Sequence, residues 1–149
     1  MADRVGEVDG LAQLSFLVHG LLERRVAEHD LSIAAARLLG ILRDRTPTML
    51  ELTKFLELDK SSVTGLVARA ERRGLVRRTP STTDRRSVRV ELTDEGRSLV
   101  QQASGGFDGD VAALLGHLPP PQRAQLADLV SRILVAHAAE RGVDLLDTT

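Results

Sequence analysis

The sequence predicts a mainly α-helical chain with a small β-hairpin wing, in which a winged helix-turn-helix domain is completed by a helical lobe from both termini. Two observations carry this prediction. Residues 50 to 96 have the pattern of a helix, a tight turn, a second helix and a basic hairpin. Apolar residues recur at helical spacing near both ends of the chain. We therefore expect the winged domain to span residues 31 to 100, and the lobe to combine residues 7 to 30 with residues 101 to 141.

Three helices are predicted ahead of the tight turn. Residues 7 to 29 place apolar side chains on one helical side: Leu11, Leu14, Val18, Leu21 and Leu22. Residues 31 to 45 form a second helix, which ends near Pro47 because proline cannot continue a helix. Residues 49 to 57 form a short third helix, which supports the helix that follows the turn.

The fourth predicted helix begins after Asp59, whose carboxylate can accept hydrogen bonds from the free N–H groups of the first turn. One side is apolar and suited to a core: Val63, Leu66, Val67 and Ala70. The opposite side carries small polar residues first and cations last: Ser61, Gly65, Ala68 and Arg72, flanked by Thr64 and Arg69. The hydroxyl of Ser61 could equally well cap the helix, whereas Thr64 lies too far along it to do so.

A β-hairpin is predicted after Gly74, which is placed to end the fourth helix. Residues 75 to 79 form its first strand, and residues 80 to 84 supply the turn chemistry. Residues 87 to 92 alternate polar and apolar side chains, as the return strand of a half-buried hairpin does. Arg85 and Arg86 stay exposed at the tip. Arginines there can enter a narrow, A·T-rich minor groove, whose negative potential attracts a planar cation.

Two further helices are predicted after the hairpin. Thr93 is placed to cap a helix that runs from residue 94 to about 105. The glycines at 105, 106 and 109 are then expected to bend or interrupt the chain as a hinge before residues 111 to 118. The prolines at 119 to 121 force a break and start the last helix. That helix carries a stripe of near-heptad spacing: Leu126, Leu129, Val130, Ile133, Leu134 and His137.

Charge is segregated along the chain. Residues 60 to 89 hold nine basic and two acidic side chains, a local net charge of +7, while the whole chain has a formal net charge of −1. The rest of the molecule therefore carries −8. Such a distribution orients a protein on a polyanion, so double-stranded DNA is the expected partner. Any one of several arginines could be a solvated cation paired with Glu71, but together they favour phosphate contact: Arg69, Arg72, Arg73, Arg77 and Arg78.

Four motifs resemble the MarR-type winged-helix transcriptional regulators. They are Leu58-Asp59-Lys60-Ser61-Ser62-Val63-Thr64, Gly74-Leu75-Val76, Asp84-Arg85-Arg86 and Leu92-Thr93-Asp94-Glu95-Gly96. The resemblance covers residues 31 to 100 by motif and nearly the whole chain by helix layout. It implies that the carboxylate of Asp84 pairs with and orients Arg86, which enters the minor groove. Glu57, Gly65 and Ala70 depart from the family pattern, and Gly65 removes one possible base contact.

Pattern and resemblance together predict a homodimeric, sequence-specific transcriptional regulator, specifically a repressor relieved by a small-molecule effector. The predicted DNA contacts are Lys60, Ser61, Ser62, Thr64, Gly65, Ala68, Arg69, Arg72, Arg85 and Arg86. The alternative is a winged-helix module for protein interaction or for non-specific, architectural DNA binding, which Gly65 and Ala68 would suit. An enzyme is not expected, because no histidine lies beside a serine or carboxylate in a recognisable catalytic motif.

The apolar stripes at both termini exceed what the winged domain alone can bury. Residues 7 to 29 and 111 to 141 are therefore expected to interlock with a second copy of the chain, and the resemblance implies such an intertwined dimer. The alternative is a bundle within one chain. A dimer would require a pseudo-palindromic operator, with recognition helices in successive major grooves about 34 Å apart.

For an effector, the resemblance implies a small lipophilic or anionic molecule that enters between the lobe and the winged domain. Few aromatic residues could receive it, since the chain has three phenylalanines and no tyrosine or tryptophan. The cations considered for this site are His19, Arg24 and Arg43.

Several chemistries are excluded. The chain has no cysteine, so it has neither disulfides nor a thiol-based redox switch. Its four histidines are scattered without metal-ligand spacing, so neither a metal nor a cofactor is expected. No apolar run approaches the roughly 18 to 20 residues needed to span a bilayer, and no signal-peptide pattern precedes the first helix. A cytoplasmic protein without a membrane partner is expected.

Overall fold

The computed structural model describes residues 4 to 148, and within them six helices and a two-stranded sheet follow one another. Four helices precede the sheet: α1 (Glu7–Ala27), α2 (Ile33–Leu42), α3 (Met49–Leu56) and α4 (Lys60–Arg72). The hairpin consists of β1 (Val76–Pro80) and β2 (Val88–Leu92), and α5 (Asp94–Leu115) and α6 (Pro120–Glu140) follow it. The predicted fold class, mainly α with a β-hairpin wing, is confirmed.

Polar side chains cap four of the helices. Ser32, Thr48, Asp59 and Thr93 each accept a hydrogen bond from the backbone N–H three residues further on, which satisfies a donor that the helix itself leaves free. The predicted caps at Asp59 and Thr93 are therefore confirmed. The hydroxyl of Thr93 also donates to the carbonyl of Gly74 at 2.6 Å, so the end of α4 is joined to the start of α5.

The hydrophobic core lies between α2, α3, α4 and the inner face of the hairpin. Its fully buried side chains include Leu38, Leu52, Leu56, Val63, Val67, Val76 and Val90. The whole apolar side predicted for the fourth helix is buried there: Val63, Leu66, Val67 and Ala70. Burial on this side gives α4 a single orientation, in which its opposite side faces outward.

The hairpin is antiparallel, with Val76 opposite Leu92 at its base. The segment before α3 runs along the outer edge of β2, where the N–H of Val90 donates to the carbonyl of Pro47 at 2.9 Å. The wing is therefore anchored on both sides of β2, which fixes its direction relative to α3 and α4.

The predicted interruption of the fifth helix is wrong. α5 runs without a break through Gly105, Gly106 and Gly109. A glycine costs a helix interior only about 1 kcal/mol and keeps its backbone hydrogen bonds. At Gly106 the absence of a side chain has a packing role, because a Cβ there would lie 3.1 Å from the side chain of Arg25 on α1. Arg25 pairs with Asp110, one turn further along α5, at 2.7 Å. Gly106 thus allows close contact between two helices, and the predicted hinge does not form.

Both terminal helices expose apolar faces. On α6, Leu129, Val130, Ile133 and Leu134 keep 41 to 62% of their surface exposed. The exposed apolar residues of α1 are Val8, Leu11, Leu14, Phe16 and Leu17. The described part of the chain leaves these side chains of both helices uncovered. None of the helices between residues 4 and 148 is long and apolar enough to cross a membrane.

The end of α6 rests on the winged domain. Glu57, which follows α3, has a left-handed backbone with a φ of 56°. Its carboxylate lies 3.0 Å from the ring nitrogen Nε2 of His137 and 2.9 Å from a guanidinium nitrogen of Arg141. The hydrogen bond with His137 is the main cause that lowers the pKa of Glu57, and the charge of Arg141 adds to it. Arg45 also donates to main-chain carbonyls at residues 145 and 147.

Candidate nucleic-acid interface

The exposed side of α4, the predicted recognition helix, and the hairpin tip border the same groove. This groove of about 630 Å³ runs between α3, α4 and the hairpin. Lys60, Thr64 and Arg86 line it, together with the exposed apolar side chains of Leu50 and Val88. The fold therefore brings residues of the recognition helix and of the wing, both predicted to contact DNA, onto one surface.

The carboxylate of Asp59 organises the first turn of α4. One of its oxygens, Oδ1, accepts from the backbone N–H of Ser62 at 2.7 Å and from the hydroxyl of Ser61 at 2.9 Å. The other, Oδ2, accepts from the hydroxyl of Ser62 at 3.0 Å. These bonds, that of the Ser62 N–H foremost, lower the pKa of Asp59. Asp59 is thus the cap, and Ser61 is bound to it.

Gly65 makes room for the side chain of Arg69. A Cβ at residue 65 would lie 3.2 Å from the guanidinium nitrogen Nη1 of Arg69, so glycine lets this arginine lie back along the helix. Ala68 is half-buried on the outer side, and Arg72 is exposed. An arginine from the following turn therefore covers the place that a side chain at residue 65 would fill.

The hairpin tip corrects one expectation. The carboxylate of Asp84 does not pair with the guanidinium of Arg86; it accepts from the backbone N–H of Arg86 at 2.9 Å and from the hydroxyl of Ser87 at 3.2 Å. An aspartate readily bonds a backbone N–H two residues on, and this local contact shapes the turn. Asp84 therefore fixes the backbone of Arg86, while the guanidinium stays exposed.

The nine basic residues between 60 and 89 divide into two groups. Four arginine side chains have partners within the protein: Arg73 donates to the carbonyls of His29 and Asp30, Arg77 pairs with Glu91, Arg78 pairs with Glu71, and Arg89 donates to the carbonyl of Thr46. The other five have exposed side chains without a hydrogen-bonded or ionic partner among residues 4 to 148: Lys60, Arg69, Arg72, Arg85 and Arg86. All five belong to the predicted contact set.

This division changes the interpretation of three arginines. Arg73, Arg77 and Arg78 were expected to join the phosphate contacts, but each already has a partner in the fold. The carbonyls that bind Arg73 belong to the end of α1, where a cation is also favoured by the helix dipole. The pairing with Glu71, the alternative left open from the sequence, occurs at Arg78. The partners of Arg73 and Arg77 were not foreseen, because they come from the end of α1 and from the opposite strand.

A second candidate site is a small apolar cavity of about 140 Å³ between α1, α2 and α5. Leu22, Leu39, Val100 and Phe107 line it, and Arg25 supplies a cation at its wall. The cations considered from the sequence do not line it: His19, Arg24 and Arg43. Sequence reasoning missed Arg25, which lies one helical position beyond Arg24.

Arg25 is a bound cation rather than a free one. Its guanidinium donates to both carboxylate oxygens of Asp110, at 2.7 and 2.8 Å, and this hydrogen bonding is the main cause that lowers the pKa of Asp110. A molecule that used Arg25 would therefore share it with Asp110. No group of histidine, cysteine, aspartate and glutamate side chains that could hold a metal ion occurs in the described part of the chain.

Comparison with known proteins agrees with this geometry. Residues 29–87 match the model of the MarR family. The HTH-type transcriptional regulator PecS of Dickeya dadantii is 28% identical over 129 residues, which cover 83% of this chain and 76% of PecS. The HTH-type transcriptional repressor YetL of Bacillus subtilis is 27% identical over 132 residues, or 84% of this chain and 79% of YetL.

The same likeness extends to solved structures. Wild-type MarR from E. coli, in its apo form, is 25% identical and superposes with a TM-score of 0.71, over 89% of this chain and 99% of that protein. The family match includes α4 and the hairpin tip, and the relatives extend it over most of the chain. Residues 29–87 thus match the MarR family of transcriptional regulators, and over most of its length the chain is similar to proteins named as HTH-type transcriptional regulators.

Proposed function

We propose that the protein is a homodimeric repressor that binds a pseudo-palindromic operator in double-stranded DNA through two recognition helices and two wings. One observation carries the proposal. The five basic residues without a partner lie exposed on α4 and the hairpin tip, while the four others of the segment are bound within the fold. Phosphate contacts dominate the affinity of proteins for DNA, so cations left free on one surface mark where the duplex lies.

Within this surface, we assign the exposed side of α4 to the major groove and the hairpin tip to the minor groove. The base-edge contacts are Ser61, Ser62, Thr64, Ala68 and Arg69, with Gly65 leaving space for Arg69. The phosphate contacts are Lys60, Arg72 and Arg85. Arg86 enters the minor groove from a turn that Asp84 shapes.

The dimer is supported by the exposed apolar faces of α1 and α6. Two such faces on one chain need a cover, and a second copy provides a matching pair through a two-fold axis. We assign residues 31 to 100 to DNA binding, and residues 7 to 30 with 101 to 141 to the dimer lobe. The two-fold axis then requires half-sites of opposite direction in the operator.

Relief by an effector is supported by the cavity between α1, α2 and α5. Its walls are apolar apart from Arg25 and Ser104, which suits a small lipophilic molecule with an anionic group. The cavity lies where the lobe helices meet α2 of the winged domain, so a ligand there would favour one spacing of the two domains over another. YetL, a relative along 84% of the chain, is a repressor.

Fluorescence anisotropy tests the proposal, with the protein's own upstream intergenic DNA beside a shuffled duplex, each across a salt series. A preference of about 10³ or more, with a salt dependence that corresponds to several phosphate contacts, is expected of a specific regulator. Equal, salt-sensitive binding to both duplexes would instead support the architectural module. No binding to either duplex at low salt would support a protein-interaction module.

Replacement of Arg86 by alanine should weaken operator binding about tenfold to a hundredfold, because one groove contact is lost at each wing. The loss should shrink when the flanking A·T steps of the operator are replaced by G·C steps, since the narrow minor groove that attracts arginine is then absent. Both values come from the same anisotropy titration.

Arg77→Ala is the matched control, because it removes an arginine of the same hairpin that Glu91 already binds. We expect it to change the dissociation constant by no more than about threefold, as exposed ion pairs contribute little. Equal effects of the two variants would remove the wing tip from the mechanism.

A further inference from the structure

Three hydroxyl groups on the exposed side of α4 are already engaged within the protein. Those of Ser61 and Ser62 bond the two carboxylate oxygens of Asp59, at 2.9 and 3.0 Å. The hydroxyl of Thr64 bonds the carbonyl of Lys60, one turn back, at 2.8 Å. All three residues are exposed on the surface proposed to meet DNA.

The chemistry of the partners fixes the direction of these bonds. A carbonyl oxygen and an ionised carboxylate can only accept, so each hydroxyl must donate its single proton inward. What each hydroxyl then presents outward is an oxygen lone pair, which is an acceptor. A serine or threonine hydroxyl can normally both donate and accept a hydrogen bond, but at these three positions it can only accept one from a further partner.

We propose that Asp59 is a specificity-determining residue, because it makes Ser61 and Ser62 acceptors and thereby directs α4 toward base edges that carry an exocyclic amine. In the major groove these are the N6 amine of adenine and the N4 amine of cytosine. Guanine and thymine present only acceptors at the corresponding positions. The inference rests on the proposed function, since it concerns bases read by the recognition helix.

The same argument separates these hydroxyls from the phosphate contacts. Phosphate oxygens are acceptors, so a hydroxyl whose proton is already donated cannot bond them without breaking its bond to Asp59. That bond has an ionised acceptor and is stronger than a bond between neutral groups. The cations therefore hold the DNA backbone, and the hydroxyls remain for the bases.

Asp59→Asn reverses the direction of one hydroxyl hydrogen bond. It keeps the helix cap, because asparagine caps helices as well as aspartate does. The amide oxygen takes the place of Oδ1, which bonds the N–H of Ser62 and the hydroxyl of Ser61. The amide nitrogen then replaces Oδ2, which faces the hydroxyl of Ser62. Because this nitrogen donates, the Ser62 hydroxyl must accept from it and can donate outward. The substitution thus acts on the base facing Ser62 and leaves that facing Ser61 unchanged.

The test measures anisotropy on every single-base-pair variant of the upstream duplex. Ser62→Ala first identifies the base pair that Ser62 faces, as the position where preference is lost. At that position, the native protein should lose about tenfold in affinity when adenine is replaced by purine without the N6 amine, or cytosine by an analogue without the N4 amine. In Asp59→Asn, the same removal of the amine should lower the affinity less than about twofold. The base preference of this variant at that position should move toward guanine or thymine.

Asp44→Asn is the control for loss of a carboxylate, because Asp44 pairs with exposed Arg43 outside the groove; it should keep the native profile. Circular dichroism melting checks that Asp59→Asn folds. A native profile and a native amine dependence in Asp59→Asn would overturn the inference and leave the proposed function standing. Equal binding of the native protein to all duplexes would contradict sequence-specific regulation itself.

Discussion

Replacement of Ile133 by glutamate is expected to give a monomer of 16.2 kDa that has lost most of its operator affinity. Ile133 lies in the middle of the exposed apolar stripe of α6, and 62% of its surface is uncovered in the single chain. A carboxylate buried there without a partner costs several kcal/mol, and the two-fold axis introduces it twice. A monomer engages one half-site, so the loss of the second should lower affinity about a hundredfold or more.

Sedimentation velocity at about 10 µM and anisotropy on the same samples measure both effects. The control is Ala124→Glu, which adds the same charge to α6 at an exposed position. At about 100° per residue, Ala124 lies on the other side of the helix from Ile133. A dimeric Ile133→Glu protein would contradict the assignment of this stripe to the interface, and a monomer with native operator affinity would contradict two-site binding.

Replacement of Ala68 by glutamate is expected to abolish operator preference while the fold persists. Ala68 lies on the outer side of α4, where a small side chain allows close approach and can contact a thymine methyl group. Glutamate is a good helix former, so α4 should remain intact. Its carboxylate would meet the polyanion at close range, and we expect operator affinity to fall about a hundredfold or more, to near that of shuffled DNA.

Circular dichroism melting and the paired anisotropy titration measure the two properties separately. Ala124→Glu again controls for the added negative charge and should bind the operator as the native protein does. Retained preference in Ala68→Glu would contradict the prediction and move the recognition surface away from the outer side of α4.

Features that depend on neighbouring residues could be predicted from the sequence. The caps at Asp59 and Thr93 and the buried side of α4 were predicted correctly, because a cap acts over three residues and an amphipathic helix repeats every three or four. The hairpin followed from Gly74, which has a φ of 73° at the end of α4 and so favours glycine.

Features that depend on distant partners could not be predicted. The glycines of α5 suggested a break in the helix. The packing role of Gly106 could not be foreseen, because its neighbour Arg25 is far away in the sequence. The different surroundings of Arg72 and Arg73 could not be foreseen either. Arg73 donates to carbonyls at the end of α1, and only the fold brings that end close to it. The direction of the Asp84 side chain could not be predicted from the sequence. The family pattern pairs Asp84 with the side chain of Arg86, but the turn geometry shows that its carboxylate accepts from the backbone N–H of Arg86.

The contacts of Glu57 with His137 and Arg141 restrict the degrees of freedom of the winged domain. If the winged domain were joined to the lobe only through α1 and α5, it could rotate about that single junction. Glu57 lies in the turn that leads into the recognition helix, and its carboxylate is held by the end of α6, so a second fixed point exists away from the first. A change in the angle between α4 and α6 would therefore stretch or break these contacts.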